Sequence, residues 1–246
     1  QTRRDNDKEL ANLLRVFGHM PIEAIAPMHI RQYMDLRGQV AKVRANREKA
    51  LFSHIFNKAR EWGFTTAQNP CQGVKGFKET GRSRYVTDEE FDRVRANAHC
   101  TVVDAMDIAL LTGQRPADVL KIKRTDIRDG ALWIVQNKTG ARLGIEITGE
   151  LSAVIERINQ RPRKAISAFL IQDENGQPLS QGALRSRFDK ARTLAKVDFQ
   201  FRDIRAKAAT DTGDLGHSQK LLGHKNREMT EHYVKSRKGE RVKPSR

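Results

Sequence analysis

The chain has 246 residues, with 46 Lys or Arg against 30 Asp or Glu, which gives a net charge of +16 at pH 7. This length is sufficient for one large domain or two smaller ones, and the 38% hydrophobic content excludes a disordered chain. Two cysteines, Cys71 and Cys100, are too few for a disulfide-rich secreted protein or a cysteine-rich zinc module, and they favour a reducing, intracellular compartment.

The excess positive charge is shared by both parts of the chain, since residues 1–84 and residues 85–246 each carry +8. It predicts a polyanionic partner, with nucleic acid as the first candidate and an acidic membrane as the second. The longest apolar run, residues 102–111, is about half as long as a bilayer requires, so we expect no transmembrane segment. We also find no signal peptide, and we expect a fragment because the chain begins with Gln1.

Residues 1–77 are predicted to form a small helical module with four helix-like segments. An apolar stripe ends at Phe17, before Gly18, and a second helix begins near Pro27. A longer third helix carries an apolar face at helical spacing and ends at Gly63. We place Ile30, Tyr33, Met34 and Val40 on the buried face of the second helix, and Arg44 and Arg47 on a basic outer face.

Residues 78–84 are the predicted linker between this module and the rest of the chain. The segment and its approach contain Gly76 and Gly81, with basic side chains at Lys78, Arg82 and Arg84. A linker that crosses a DNA groove has this composition, although an exposed loop would have it too. Arg44, Arg47, Lys78, Arg82 and Arg84 are our candidate DNA-binding residues.

Residues 85–246 combine helices with a few strands. A capping box at residues 87–90 opens one helix, and residues 102–111 are predicted to form a buried helix. Two β-rich runs, residues 131–136 and 142–147, flank a hairpin turn at residues 137–140, and residues 169–171 are a candidate third strand. Residues from about 180 to 235 are predicted to be helical with short breaks.

Four features in this part could carry chemistry. Arg115 lies between the end of the buried helix and Pro116, where its guanidinium could bind a phosphate. Lys138 lies in the hairpin turn. Arg202 and Arg205, with Lys207, cluster at a predicted helix start, and such starts attract anions.

The fourth feature is the segment from residue 221 to Tyr233, which contains His224. Each feature alone has an ordinary explanation, such as a surface arginine, a solvated turn lysine, a basic amphipathic helix or a structural tyrosine. We find no Gly-rich phosphate loop, no carboxylate cluster for Mg²⁺ and no zinc-ligand spacing, so we expect no cofactor.

Taken together, in their order and spacing, the four features resemble the tyrosine recombinases, the phage-integrase family. Arg115 matches the arginine of the family's LTGxRxxE segment, and Asp118 stands at its acidic position. Lys138 matches the lysine of a β-turn, and Arg205 matches the arginine of HxLR. His224 matches the histidine of LGH, and Tyr233 matches the nucleophile nine residues later.

Residues 1–77 resemble the family's core-binding domain, most clearly over residues 46–70. One departure is Arg202, which replaces the histidine of HxLR and cannot transfer a proton near neutral pH.

The resemblance implies a mainly α fold. A helical, SAM-like core-binding domain (residues 1–77) would precede a mixed α/β catalytic domain with a small antiparallel sheet (residues 85–246). It also implies a site-specific DNA recombinase, the integrase of a phage or other mobile element. Tyr233 would attack a phosphate held by Arg115, Arg205, His224 and Arg202, form a 3′-phosphotyrosine and release a 5′ hydroxyl that Lys138 protonates.

Two alternatives stay open at this point: a non-catalytic DNA-binding protein of the same fold, and a type IB topoisomerase. The implied partners are double-stranded DNA and three further copies of the chain in a tetramer. Accessory DNA-bending proteins are additional candidates, and a membrane is not expected. The basic tail, residues 236–246, would be donated to a neighbouring copy. The implied location is the cytoplasm of a bacterial cell, at the nucleoid.

Overall fold

The computed structural model describes residues 2–82, 84–162, 165 and 167–238. For Thr2, His232, Tyr233 and residues 235–238 it describes the backbone alone. The chain divides into two compact units, Gln1–Arg82 and Ser83–Arg246. This division falls within the predicted linker, residues 78–84. The predicted tail, residues 236–246, extends beyond the described residues after Lys238.

The first unit is helical in the residues described. Helix α1 spans Thr2–Phe17, a single 3₁₀ turn spans Ile22–Ala24, and helix α2 spans Pro27–Glu61. Ala41 interrupts α2 with extended backbone angles (φ −155°, ψ 78°), so the predicted second and third helices meet at this break. The core contains Leu13, Phe17, Ile30, Tyr33, Met34, Phe52 and Phe56.

Val40 is a wrong core prediction, since it is 82% exposed. It lies two turns after the buried Tyr33, but the helix breaks at the next residue and the buried face resumes only at Ala45. The predicted helical stripe therefore extends beyond the point where the helix keeps its register.

Glu48 ties the elements of the first unit together from a fully buried position. Its carboxylate accepts hydrogen bonds from Asn12 of α1 at 2.8 Å, from the Tyr33 hydroxyl at 2.9 Å and from Arg37 Nε at 2.9 Å. Burial alone would raise the pKa of Glu48, but the bonds from Arg37, Asn12 and Tyr33 lower it overall. A buried charge of this kind is tolerated because its hydrogen-bonding capacity is filled.

The second unit packs helices around a small antiparallel sheet of order β1–β2–β3. Its elements are α3 (Asp88–Ala96), α4 (Cys100–Thr112), α5 (Pro116–Val119), β1 (Ile127–Arg128), β2 (Ala131–Val135), β3 (Arg142–Glu146), α6 (Gly149–Gln160), α7 (Gln181–Leu194), a 3₁₀ turn (Phe201–Asp203), α8 (Ile204–Asp211), α9 (Leu215–Leu222) and α10 (Arg227–Lys238). In the hairpin, Ala131 lies opposite Glu146 and Val135 lies opposite Arg142. The predicted fold class, mainly helical with a small antiparallel sheet, is confirmed.

Helix α4 is the central element of this unit's core. Its residues Val102, Ala105, Met106 and Ile108 are fully buried. The two aspartates in this apolar helix are paired: Asp107 accepts from Arg95 Nε of α3 at 2.9 Å and from Arg157 Nη2 of α6 at 2.8 Å. Asp104 is likewise held by Arg157 and Arg161. The buried helix predicted at residues 102–111 is thus confirmed, and its charges join it to α3 and α6.

Two parts of the sequence-based prediction for this unit differ from the structure. Residues 169–171 do not form a strand, because Phe169 makes only an isolated bridge to Lys123. The third strand is the short β1, which pairs with β2. No helix in the described part of the chain is both long and apolar enough to span a bilayer.

Candidate active site

Arg115 is placed by the junction between α4 and α5. Gly113 ends α4 in the left-handed conformation (φ 64°), and an added Cβ would lie only 3.1 Å from the Leu222 side chain, so this position favours glycine. Arg115 then occupies the N-cap of α5, with Pro116 in the first turn. Its Nη1 donates to Gln136 Oε1 at 3.2 Å and lies 3.8 Å from Asp118 Oδ2.

Arg205 lies in the first turn of α8 and is only 3% exposed. Its Nη1 donates to the Gly113 carbonyl at 2.7 Å, and its Nη2 donates to the Leu222 carbonyl at 2.7 Å. These carbonyls stand at the C-terminal ends of α4 and α9, where the helix dipole is negative. The two helix ends therefore hold a buried guanidinium in a fixed position, and because carbonyls carry only partial charge, these bonds do not cancel its charge.

His224 follows Gly223, which ends α9 in the left-handed conformation (φ 62°). The imidazole is 7% exposed, with Nε2 at 3.2 Å from Arg205 Nη2 and Nδ1 at 3.0 Å from Thr230 Oγ1. Burial, together with the nearby charges of Arg205 and Arg115, lowers the pKa of His224 to about 4. The ring is therefore neutral at pH 7. Because a guanidinium can only donate, Nε2 is the acceptor and Nδ1 carries the proton towards Thr230.

Lys138 is exposed in the turn between β2 and β3. The turn is held on both sides by buried residues of the site. The backbone N–H of Asn137 donates to Asp118 Oδ1 at 2.9 Å, and the Thr139 hydroxyl donates to Gln136 Oε1 at 2.8 Å. Asp118, which is 2% exposed, thereby links the Arg115 segment to the Lys138 turn.

Arg202 lies on the 3₁₀ turn that precedes α8 and is exposed. Together with Pro116, Gln181 and Arg185 it lines an open groove of about 490 Å³. Lys207 does not join Arg202 and Arg205, contrary to the clustering expected from the sequence. It is 1% exposed and forms ion pairs with Asp88 and Asp211.

Tyr233 belongs to α10, which packs against α8 and α9. Its side chain is outside the described part of the structure, so its role as nucleophile remains a prediction. The side chains of the other two tyrosines are both hydrogen-bonded to carboxylates, Tyr33 to Glu48 at 2.9 Å and Tyr85 to Asp211 at 2.7 Å. Burial, reinforced by these bonds, raises the pKa of Tyr85 to about 12 and raises that of Tyr33 further.

The candidate DNA-binding residues differ in their surroundings. Arg47, Lys78 and Arg82 are exposed, and Arg44 pairs with the buried Glu9 at 3.3 Å. Arg84 is held within the second unit by Glu90 and by the Asp198 carbonyl at 3.2 Å. Contact of all five with DNA remains a prediction.

Gln136 and Thr230 are two residues of the site that the sequence analysis did not select. A signal for Gln136 was available, because Leu132 and Ile134 alternate inward along β2 and Gln136 continues that buried series with a polar side chain. Thr230 gave no comparable signal, since a threonine within a polar helical segment is ordinary. Among the described residues, no group of three or more His, Cys, Asp or Glu is placed to bind a metal ion.

Comparisons with known proteins identify the family of this chain. The sequence model of the phage integrase family matches residues 86–240. Prophage integrase IntE of Escherichia coli (strain K12) is 28% identical over 255 residues, covering 94% of this chain and 68% of the relative. The integrase of Escherichia phage HK022 is 31% identical over 199 residues, covering 74% of this chain and 55% of the relative. The chain thus spans roughly half to two thirds of these curated relatives.

Solved structures share the fold. A lambda integrase (75–356) dimer bound to a COC′ core site superposes with a TM-score of 0.88 at 23% identity, covering 98% of this chain and 91% of that chain. A lambda integrase tetramer bound to a Holliday junction gives the same TM-score and covers 98% of this chain and 74% of that chain. Since the family model matches well over half of the sequence, the chain belongs to the phage integrase family, the tyrosine recombinases.

Proposed function

We propose that this chain cuts and rejoins DNA at specific sites, with Tyr233 as the nucleophile of a covalent 3′-phosphotyrosine intermediate. The observation that carries the proposal is the buried Arg205–His224 pair, with Nη2 and Nε2 separated by 3.2 Å, in electrostatic reach of Arg115. Three residues from distant segments converge, two of them positively charged and one neutral. This arrangement suits the stabilisation of a phosphate whose charge increases during the reaction.

In this proposal the two arginines hold the non-bridging oxygens of the scissile phosphate. Arg205 is preorganised by the C-terminal ends of two helices, and Arg115 by Gln136 and Asp118. Preorganised donors do not have to reorient as charge develops, which is where such sites gain most of their rate. Arg202, on the exposed turn before α8, adds a third guanidinium that donates hydrogen bonds and transfers no proton.

The proton balance of the proposed reaction involves two further groups. The phenol oxygen of Tyr233 attacks phosphorus as the bond from phosphorus to the 5′ oxygen breaks. The phenol proton passes to His224 Nε2, which is unprotonated at pH 7. Lys138 donates a proton to the departing 5′ oxygen. A second DNA end can reverse these steps, so the phosphodiester is restored without ATP.

The proposed substrate is double-stranded DNA, and the proposed active assembly is a tetramer on two sites. The net charge of +8 on each of the two parts of the sequence supports the first. The lambda integrase dimer on a core site and tetramer on a Holliday junction support both by analogy. Accessory DNA-bending proteins, a tail donated in trans and a location at the bacterial nucleoid are finer predictions that follow from the family. Arg47, Lys78 and Arg82, all exposed, are proposed phosphate contacts.

The test is a nicked suicide duplex carrying the junction sequence that flanks the encoding gene. The wild-type chain should form a covalent protein–DNA adduct that resists denaturation, and Tyr233→Phe should form none while binding the duplex equally well. Tyr85→Phe is the matched control and should keep the adduct. An adduct formed by Tyr233→Phe would contradict the proposal.

The same substrates separate the two alternative functions. A non-catalytic DNA-binding protein would bind with strong salt dependence and form no adduct with any duplex. A type IB topoisomerase would relax supercoiled plasmid without sequence preference and exchange no strands between two sites. We expect strand exchange only between plasmids that both carry the junction sequence.

A further inference from the structure

Gln136 connects three parts of the candidate active site from one buried position. It follows the last residue of β2 and is 1% exposed. Because β2 directs alternate residues inward, an apolar side chain would suit this position after Leu132 and Ile134. The chain instead places an amide here, which is costly to bury unless its hydrogen bonds are made.

All four hydrogen bonds of this amide are made, and each one leads to the site. Oε1 accepts from Arg115 Nη1 at 3.2 Å and from the Thr139 hydroxyl at 2.8 Å. Nε2 donates to Gln114 Oε1 at 2.8 Å and to the Leu222 carbonyl at 2.9 Å. An amide has two donor hydrogens and an oxygen with two lone pairs, so its capacity is filled.

The Leu222 carbonyl is the link to the second arginine. It accepts from Gln136 Nε2 at 2.9 Å and from Arg205 Nη2 at 2.7 Å. One amide and one carbonyl therefore connect the two guanidinium groups, and Leu222 is separated from His224 by Gly223 alone. An added Cβ at Gly223 would lie 3.1 Å from Gln136 Nε2, so the glycine also allows this close approach.

We infer that Gln136 is a positioning residue for strand cleavage: it fixes Arg115 relative to Arg205 and holds the Lys138 turn against both. The inference rests on the proposed function. It predicts that loss of the amide slows the chemical step and changes DNA binding little, because Gln136 acts through the arginines and the turn. Displacement of a reacting group by about 1 Å can cost roughly 100-fold in rate.

The experiment measures single-turnover adduct formation and duplex affinity with the suicide substrate. Gln136→Met keeps the length of the side chain and removes all four bonds, and we expect cleavage to slow by roughly 10- to 100-fold while Kd changes less than about 2-fold. Gln136→Glu keeps the acceptors for Arg115 and Thr139. It replaces the donor Nε2 by a carboxylate oxygen, which would face the oxygens of Gln114 and Leu222 without a hydrogen bond. It should be slowed as well, which would show that the donor side of the amide matters.

Gln172→Met is the matched control. Gln172 is another buried glutamine of the same unit, with Oε1 at 3.0 Å from Ser167 N and Nε2 at 2.9 Å from the Ala165 carbonyl. It lies outside the site, so its replacement should lower stability to a similar degree and leave the cleavage rate of the folded protein unchanged. Circular dichroism and urea unfolding establish the folded fraction of every variant.

A double-mutant cycle with Arg115→Lys gives a readout that a merely structural role would not change. If Gln136 acts through Arg115, the Met substitution should cost several-fold less in the Arg115→Lys background than in the wild type. Equal costs in both backgrounds, or a Gln136→Met variant that cleaves at the wild-type rate, would overturn the inference while the proposed function stands. A wild-type chain that forms no adduct would overturn the proposed function, and this inference with it.

Discussion

At the scale of single residues, the surroundings of His224 determine its charge. The ring lies between the Arg205 guanidinium, which can only donate, and the Thr230 hydroxyl, which accepts the Nδ1 proton. Burial of the ring, together with the nearby charges of Arg205 and Arg115, lowers the pKa of His224 to about 4. The same environment keeps Nε2 unprotonated near neutral pH.

This lowered pKa predicts a pH-dependent stability. The unfolded imidazole, with a pKa near 6.5, binds a proton as the pH falls below that value, whereas the folded one does not until about pH 4. The stabilising contribution of His224 is therefore complete above pH 6.5 and decreases between pH 6.5 and 4. We expect a loss of about 2 kcal/mol between pH 7 and pH 5 from this group.

Urea unfolding of the wild type and of His224→Gln at both pH values measures that contribution as a difference, so other titrating groups cancel. The wild type should lose more stability than the variant on acidification. Equal losses would show that His224 is not held neutral by the fold.

Arg202 allows a second prediction at this scale. Because a guanidinium has only donor groups, Arg202 contributes hydrogen bonds and no proton to the reaction. Arg202→Ala should slow adduct formation by roughly 100-fold, the usual cost of losing one donor to a developing oxyanion. Arg202→His should retain part of the activity below about pH 6.5 and lose it above, as the imidazole becomes neutral.

The measurement for Arg202 is the pH profile of single-turnover cleavage for the wild type and both variants. An Arg202→His profile parallel to that of the wild type would contradict the assigned role, as would full activity of Arg202→Ala.

At the scale of elements, the site is built from helix ends and one turn. The ends of α4 and α9 hold Arg205, the start of α5 holds Arg115, and the end of β2 supplies Gln136. Lys207 of α8 forms ion pairs with Asp88 of α3 and with Asp211 at the end of α8. Burial alone would lower the pKa of Lys207, and its bonds to Asp211 and Asp88 reverse that effect, so the pKa is raised overall.

The anchor at Lys207 predicts an asymmetry between variants. Asp88→Asn combined with Asp211→Asn leaves a buried ammonium without its carboxylates and should cost about 3–5 kcal/mol of stability. Lys207→Met should cost less, because the methionine fills the same volume and the side chains of Asp88 and Asp211, 81% and 32% exposed, remain in contact with water. Urea unfolding at pH 7 compares the two, and a larger cost for Lys207→Met would contradict this account of the ion pair.

Elements with local signals were predictable from the sequence, and tertiary relations were not. The capping box at residues 87–90, the hairpin turn at residues 137–140 and the buried helix at residues 102–111 each depend on a few adjacent residues, and each is confirmed. The exposure of Val40 depends on a helix break at Ala41, and the isolated bridge of Phe169 depends on a partner far away in sequence. The burial of Lys207 likewise depends on Asp88, 119 residues distant.

The candidate site divides in the same way. Arg115, Lys138, Arg205, His224 and Tyr233 could be selected because a family pattern orders them along the chain. Gln136 could be noticed only as a polar residue in the alternating buried series of β2, and Thr230 gave no signal. The roles of both follow from side-chain bonds that only the folded structure shows.

At the scale of the whole molecule, the charge of +16 is expected to act through many phosphate contacts. Each contact releases counterions, so the logarithm of affinity should fall linearly with the logarithm of salt concentration. Arg47→Ser combined with Lys78→Ser should reduce the magnitude of that slope by roughly 2, at about 0.9 for each lost contact. Arg15→Ser combined with Arg60→Ser removes the same charge from exposed positions outside the proposed contact set.

Fluorescence anisotropy of a labelled duplex gives the affinity of both double variants at salt concentrations from about 50 to about 300 mM, where such binding changes most. The control pair should leave the slope unchanged. Equal reductions for the two pairs would mean that binding follows net charge rather than particular contacts.

The most direct test of the central claim is mass spectrometry of the nuclease-digested protein–DNA adduct. The chain has three tyrosines, and the proposal predicts a nucleotide mass on the peptide that contains Tyr233, joined through a 3′ phosphate. Tyr33 and Tyr85 should be unmodified, since burial and hydrogen bonds to carboxylates raise the pKa values of both. A nucleotide on either of those peptides, or on a serine or cysteine, would contradict the account.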